Sequence, residues 1–178
     1  MKNELKSHYI KTIPAIKEEL GIKNVMAVPK ITKVVVSTGT GRNRDKKRAA
    51  LIVDRLAKIT GQKPASRGAK KSIASFKLRE GEIIGYQITL RGARMWSFLS
   101  KLINVAIPRT RDFRGLETKG VDEMGNFTMG VKEHIVFPES ADEDIKDVFG
   151  IAVTVVTTAK DKKSAESLLR AVGFPFKK

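Results

Sequence analysis

Apolar residues at Leu5, Tyr9, Ile13, Ile16 and Leu20 recur at helical spacing and predict a helix over residues 3–20. Pro14 removes a backbone donor inside it and should kink or divide it, and Gly21 supplies the stop. Val25 to Val28 follow, and after Pro29 comes the β-branched run Ile31–Thr38, the strongest strand signal in the chain, ended by Gly39-Thr40-Gly41. Ala49, Ile52, Val53, Leu56, Ala57 and Ile59 form a broad apolar face and predict a helix over 45–60, with Asp45 as N-cap and Gly61 as its end. Residues 72–79 and 84–91 read as two strands joined by the turn Glu80-Gly81-Glu82. Met95, Trp96, Phe98, Leu99, Leu102 and Ile103 point inward from a third helix over 92–106, which Pro108 closes.

Residues 109–130 are rich in Gly and charge and read as an irregular, exposed excursion. Lys132 to Pro138 reads as a short strand and 150–158 as a clear one. Ala165, Leu168, Leu169 and Val172 give a closing helix over 161–172 its inner side. Strands and helices interleave without strict βαβα alternation, and one strand pair is a hairpin. The expectation is a single α+β domain over 1–178, with a mainly antiparallel sheet, helices packed on one face and a protruding basic loop. The opposite face of the sheet is then available to a ligand. There is no internal repeat.

Charge changes the picture most. Lys and Arg total 35 against 19 Asp and Glu, a formal charge of +16, in a chain of 178 residues that is 41% hydrophobic and can build a core. Self-repulsion on that scale points to a polyanionic partner. Cysteine is absent, which removes disulfides, thiolate chemistry and Cys-type zinc sites, and only His8 and His134 remain as imidazoles, read as ordinary surface or half-buried residues. No apolar run approaches the roughly 20 residues of a membrane span. The N-terminal MKNELKSHYIK lacks the apolar segment of a signal peptide, so an intracellular protein is expected.

Catalytic chemistry finds little support. Ser37 to Gly41 lies between a strand and a helix, where phosphate-binding loops occur, but Arg44 stands at the third glycine position and no Gly-Lys-Ser/Thr follows. Asp142, Glu143, Asp144 and Asp147 lack the glycine and ligand spacing of a calcium loop and read as a solvated helix start. Neither histidine has a partner carboxylate at catalytic spacing. The expectation is a protein that is not an enzyme and has no cofactor or metal.

The basic residues recur instead. Gly61 to Arg79 carries Lys63, Arg67, Lys70, Lys71, Lys77 and Arg79, no acid, and small residues between the charges. Burying so many unpaired cations costs far more than the segment's few apolar groups return, so it must face water or an anion. Residues 42–48, 91–94 and 109–114 concentrate Arg or Lys in the same way, and no acid occurs between Ile83 and Arg111. Trp96 and Phe98 sit at core spacing, so base stacking on exposed aromatics is not the expected mode. Backbone and shape recognition of a structured RNA fits better, with Ser37, Gln62 and Thr89 as short polar readers beside the cations.

Several stretches together resemble one family along the chain. They are Val28-Pro29-Lys30, Ile59 to Pro64, Ala69-Lys70-Lys71-Ser72, Ile88 to Gly92 with Arg94-Met95-Trp96, and Pro108 with Arg111 to Gly115. Gly125-Asn126, Met129-Gly130-Val131, Phe137-Pro138-Glu139, Thr157-Thr158-Ala159 and Phe174-Pro175-Phe176 continue the match. The sequence resembles the bacterial large-subunit ribosomal protein five, which binds 5S ribosomal RNA. The resemblance implies a cytoplasmic ribosomal protein that helps attach 5S RNA to the central protuberance, beside 23S RNA and neighbouring ribosomal proteins, with no membrane partner. It implies that Ser37, Gln62 and Thr89 contact 5S RNA, with Lys33, Lys63 and Arg91 near its phosphates. It implies that Lys70, Lys71, Lys77 and Arg79, in an exposed loop over about 63–82, face P-site transfer RNA. The second excursion, over about 109–130 and bearing Arg109, Arg111 and Arg114, would face ribosomal RNA or the small subunit and its protein thirteen in an intersubunit bridge. Three positions depart from the family pattern: Ser37 replaces a usual Asn, Val121 to Met124 replace an aromatic-led, Arg-bearing stretch, and Phe149 stands where Arg is common. Two other readings, a nucleotide-dependent enzyme using Gly39 to Gly41 and a peripheral membrane protein, lack a complete motif and a basic amphipathic helix respectively.

Overall fold

The computed structural model describes residues 4–41, 45–111, 113–140 and 148–177. In chain order the elements are α1 (Glu4–Glu19), β1 (Ile31–Gly39), α2 (Lys46–Thr60), β2 (Ala65–Gly68), β3 (Ile83–Leu90), α3 (Gly92–Lys101), β4 (Phe127–Val131), β5 (Ile151–Thr157) and α4 (Lys162–Val172). The strands form one sheet in the order β2-β3-β1-β5-β4. Its neighbours run antiparallel. Ala65 lies opposite Gln87 in β2–β3, and the Thr40 amide donates to the Ile84 carbonyl (2.8 Å) where β1 meets β3. The Thr158 amide donates to Lys30 (2.9 Å) and the Thr38 hydroxyl to Gly150 (2.7 Å), which runs β5 against β1. This is the expected α+β architecture with an antiparallel sheet.

The local reasons are mostly those read from the sequence. The Asp45 side chain accepts from the Lys47 amide, and Gly61, at φ 69°, ends α2 in the left-handed region that glycine enters without steric cost. Ile52, Leu56 and Ile59 are the buried positions of α2. Ala165, Leu168, Leu169 and Val172 are buried on α4. Pro14 lies inside a single helix α1 and does not divide it. At Gly85 the reason is contact: a Cβ there would sit 2.7 Å from the Thr38 carbonyl oxygen, so only a bare backbone lets β3 approach β1 this closely.

The chain divides into two compact units, and strands β1, β3, β4 and β5 contribute residues to both. The first unit holds 1–34, 90–129 and 154–178. Here α1 packs against α3 and α4. The Tyr9 ring stacks on Trp96 at 5.5 Å, its hydroxyl donates to Pro29 (3.1 Å), and Ser167 on α4 donates to Glu19 at the end of α1 (2.6 Å). Phe127 packs edge-to-face against Phe174 and Phe176. The chain after α3 turns once as a π-helix over Leu102–Ala106 before Pro108.

The second unit holds 35–89 and 130–153. It buries His134, which is 2% exposed. The imidazole stacks on Phe149 at 4.1 Å and 13°, and its Nδ1 accepts from the Phe149 amide (3.4 Å). Burial first, and then the positive charge of Arg55, hold the His134 pKa below the ordinary 6.5. The unfolded chain therefore takes up a proton as pH falls through 6.5 while the folded one does not. Stability is full above about pH 7 and declines below it until the folded imidazole itself titrates. Urea midpoints should fall between pH 7.5 and 5.5 in the natural protein and stay nearly level over that range in His134→Gln.

Several expectations are corrected here. Residues 72–79 are not a strand: the partner of β3 is Ala65–Gly68, and 71–77 are all exposed. A strand needs a ladder partner or a buried face, and this stretch has only the isolated bridge between Ile73 and Leu78. Lys132 to Pro138 contains a short 3₁₀ turn over His134–Val136, and the strand lies earlier, at β4. Residues 109–130 are not wholly irregular or exposed. Val121 and Phe127 are buried, and the Leu116 and Lys177 amides donate to Pro175 and Leu116 in a parallel bridge with the C-terminal segment. His134 is a core residue, not a surface or half-buried one. Arg42 and Arg44 of the basic set, Asp112, and the acidic cluster Asp142, Glu143, Asp144 and Asp147 lie outside the described residues.

Candidate nucleic-acid interface

Alternation along the strands sorts the side chains of the sheet into two sets. Val34 and Val36 of β1, Ile88 and Leu90 of β3, Val153 and Val155 of β5, and Phe127 and Val131 of β4 are buried. The residues between them are half-exposed or exposed: Lys33, Val35 and Ser37, Gln87 and Thr89, Ala152, Thr154 and Val156, Thr128 and Gly130. That second set contains hydroxyls, an amide, a lysine and small residues, and no carboxylate. The Thr128 and Thr154 hydroxyls lie 3.0 Å apart. Arg67 Nε donates to Gln87 Oε1 at 2.7 Å, which fixes one guanidinium over the β2–β3 pair.

In the second unit, Ser37 lines a shallow depression of about 470 Å³ with Gly39, Gly130, Lys132, Gly150 and Ala152. Glycine and alanine at these positions leave the backbone of the strands open to approach, and Lys132 is the cation at its margin. Carried along β1 and β3 without interruption, the register that bonds Thr40 to Ile84 sets Ser37 against Gln87. Gln62 is half-buried just past the end of α2. Its amide donates to the Thr60 hydroxyl (3.4 Å), which itself donates to the Leu56 carbonyl (2.6 Å), so the backbone before Lys63 is tied to the last turn of α2. Lys63 itself is exposed, and Thr89 is half-exposed on β3.

In the first unit, Lys33 is half-exposed on β1, and Arg91 is exposed at the N-cap of α3. Arg91 makes no side-chain cap, and the first turn of α3 carries no acid. A cation at a helix N-terminus opposes the macrodipole, so this placement weakens the isolated helix and strengthens the attraction for an anion. Helices α2 and α4 differ from it, since their N-cap residues are Asp45 and Asp161. Arg109, Arg111 and Arg114 are exposed beyond α3.

The described ion pairs lie elsewhere: Asp54 with Arg55 and Lys58, and Glu117 with Lys177. Among the described residues none pairs with Lys33, Lys63, Lys70, Lys71, Arg79, Arg91, Arg109, Arg111 or Arg114. These cations keep their charge available to a partner. Residues 69–82 form an ordered loop whose base is closed by Ala69 and Glu82 (2.9 Å) and by Gly81 and Ala69 (3.0 Å). Lys70, Lys71, Lys77 and Arg79 are exposed along it. Sequence reasoning missed Arg67–Gln87, Gly130, Lys132 and the Thr128–Thr154 pair. Their signal is strand register, which only pairing reveals.

In each unit the strands present an acid-free set of half-exposed side chains, and each unit carries exposed cations that pair with no described carboxylate. Among the described residues no three His, Asp or Glu side chains gather as a metal site, and no helix is long and apolar enough to cross a membrane. Two family models match the chain, that of ribosomal protein L5 over residues 24–79 and that of the ribosomal L5P family C-terminus over residues 83–176. The chain is 50% identical to the large ribosomal subunit protein uL5 of Flavobacterium johnsoniae, covering 100% of this chain and 96% of that protein. It is 48% identical to the proteins of the same name from Acidobacterium capsulatum, covering 99% and 98%, and from Mesoplasma florum, covering 100% of each. The chain belongs to the ribosomal protein L5 family, whose members are structural and not enzymes.

Proposed function

We propose that the protein is a structural constituent of the large ribosomal subunit that binds 5S ribosomal RNA and holds it in the central protuberance of a cytoplasmic ribosome. The observation that carries this reading is the acid-free uncovered side of the sheet, bordered by cations that pair with no described carboxylate. Ser37, Gln62 and Thr89 offer a hydroxyl, an amide and a hydroxyl to sugars or base edges, and Lys33, Lys63 and Arg91 face phosphates. The Ser37 hydroxyl reaches less far than the amide usual in the family, and the small residues around its depression let the RNA backbone come closer in compensation. The family relation supports the ribosomal context.

The loop over 69–82 serves P-site transfer RNA through Lys70, Lys71, Lys77 and Arg79. Arg109, Arg111 and Arg114 meet ribosomal RNA or the small subunit, where protein thirteen is the expected neighbour. Replacing Lys70, Lys71 and Lys77 with alanine should leave affinity for isolated 5S RNA within about twofold. It should weaken transfer RNA binding to assembled ribosomes by about tenfold, as three surface contacts of ~0.5 kcal/mol each require. Filter binding on both RNAs separates the two roles, and collapse of 5S binding in this variant would assign the loop to the wrong partner.

A further inference from the structure

Ten of the eleven aromatic side chains are buried or half-buried, and one is not: Phe76 is 71% exposed at the tip of the basic loop. Its position is built. Ile73 and Leu78 exchange both backbone hydrogen bonds (3.0 and 3.1 Å), and the Lys77 amide closes the turn on Ala74 (2.9 Å). Lys77 stands at φ 49°, the one non-glycine residue with positive φ among the described residues. The Ser72 hydroxyl accepts from the Glu80 amide (2.9 Å) and braces the two sides of the loop. Short-range hydrogen bonds thus shape a loop in which an apolar ring is largely exposed, with Lys70, Lys71, Lys77 and Arg79 in the same loop.

We propose that Phe76 stacks on an unpaired base of the RNA whose phosphates these cations hold; the proposal rests on the reading that this loop meets transfer RNA. A base offers a flat π surface of matching size, and its own backbone places phosphates within reach of the surrounding lysines. A protein pocket would match the ring but not the four cations of the same loop. A lipid surface would need more apolar area than Phe76 and the 42%-exposed Ile73 supply. The turn is already ordered, so stacking has little conformational freedom to remove.

Ribosomes carrying Phe76→Leu, Phe76→Trp or the Lys70, Lys71, Lys77→Ala triple variant, loaded with P-site transfer RNA, test this. Base-specific reagents report the stacked base, and hydroxyl radicals report the backbone. With the natural protein and Phe76→Trp, one unpaired base should be protected together with nearby backbone. Phe76→Leu keeps an apolar side chain without a ring; it should expose the base, keep the backbone protection and release transfer RNA about tenfold faster. Unchanged base protection in Phe76→Leu would overturn stacking while leaving the loop's contact intact. Absence of both protections with the natural protein would overturn the loop's assignment as well. An unaltered thermal midpoint in Phe76→Leu confirms that the exposed ring is not needed for folding.

Discussion

Replacing Lys33, Lys63 and Arg91 together with alanine is expected to lower affinity for 5S RNA by about a hundredfold at 0.15 M salt. The estimate follows from counterion release. Each phosphate contact contributes about 0.9 to the slope of log affinity against log salt, so three contacts remove roughly two log units at that concentration. The slope itself should become shallower by about 3. None of the three side chains pairs with a described carboxylate, so the variant should unfold within ~0.5 kcal/mol of the natural protein. Titrations at several salt concentrations read both quantities. An affinity that falls with an unchanged slope would mean that these residues act through the fold and not on phosphates.

The largest effect on stability is expected at Phe127. The ring is 1% exposed and lies 5.6 Å from Phe174 and 5.4 Å from Phe176, edge-on to both. A Cβ on Gly120 would meet the same ring at 2.9 Å, so the bare backbone there lets the chain approach it closely. Phe127→Ala should cost about 3–5 kcal/mol. That is a large share of the 5–15 kcal/mol typical of a folded domain, and it corresponds to roughly 10 °C in thermal midpoint. Calorimetry checks it. Phe176→Ala should cost less, because that ring is only half-buried.

The parts of this molecule that could be read in its sequence are those whose causes are local. Asp45 and Gly61 bound α2 because a cap and a left-handed stop act within a few residues. β1 and β5 announce themselves because both are β-branched runs with a buried set. β2 did not, because Ala65–Gly68 is exposed throughout and is a strand only through its pairing with β3. Ser72 to Arg79 had the composition of a strand and no partner to make it one. His134 was unreadable for the same kind of reason: its burial depends on Phe149, fifteen residues away. Phe149, where the resemblance leads one to expect Arg, is a ring stacked in the core.

The candidate interface divides along the same line. Its cations were legible because a run of unpaired charge needs no tertiary partner to declare itself. An open face of the sheet was expected too, but which of two neighbouring strand residues it presents is decided by packing and was not legible in the strand pattern. Phe76 is the sharpest case. Helical spacing placed Trp96 and Phe98 in the core, where both are buried, but Phe76 has no such spacing to read and stands exposed in its loop.

Because the natural chain has no cysteine, a single introduced thiol can carry a tethered iron chelate to a chosen spot. Thr154→Cys places it on the uncovered side of the sheet, and Lys163→Cys places it on the exposed start of α4. Bound to 5S RNA, the Thr154→Cys conjugate should cut the RNA at a few clustered positions, and the Lys163→Cys conjugate should cut it weakly or not at all. Strong cutting from α4 with none from the sheet would contradict the account.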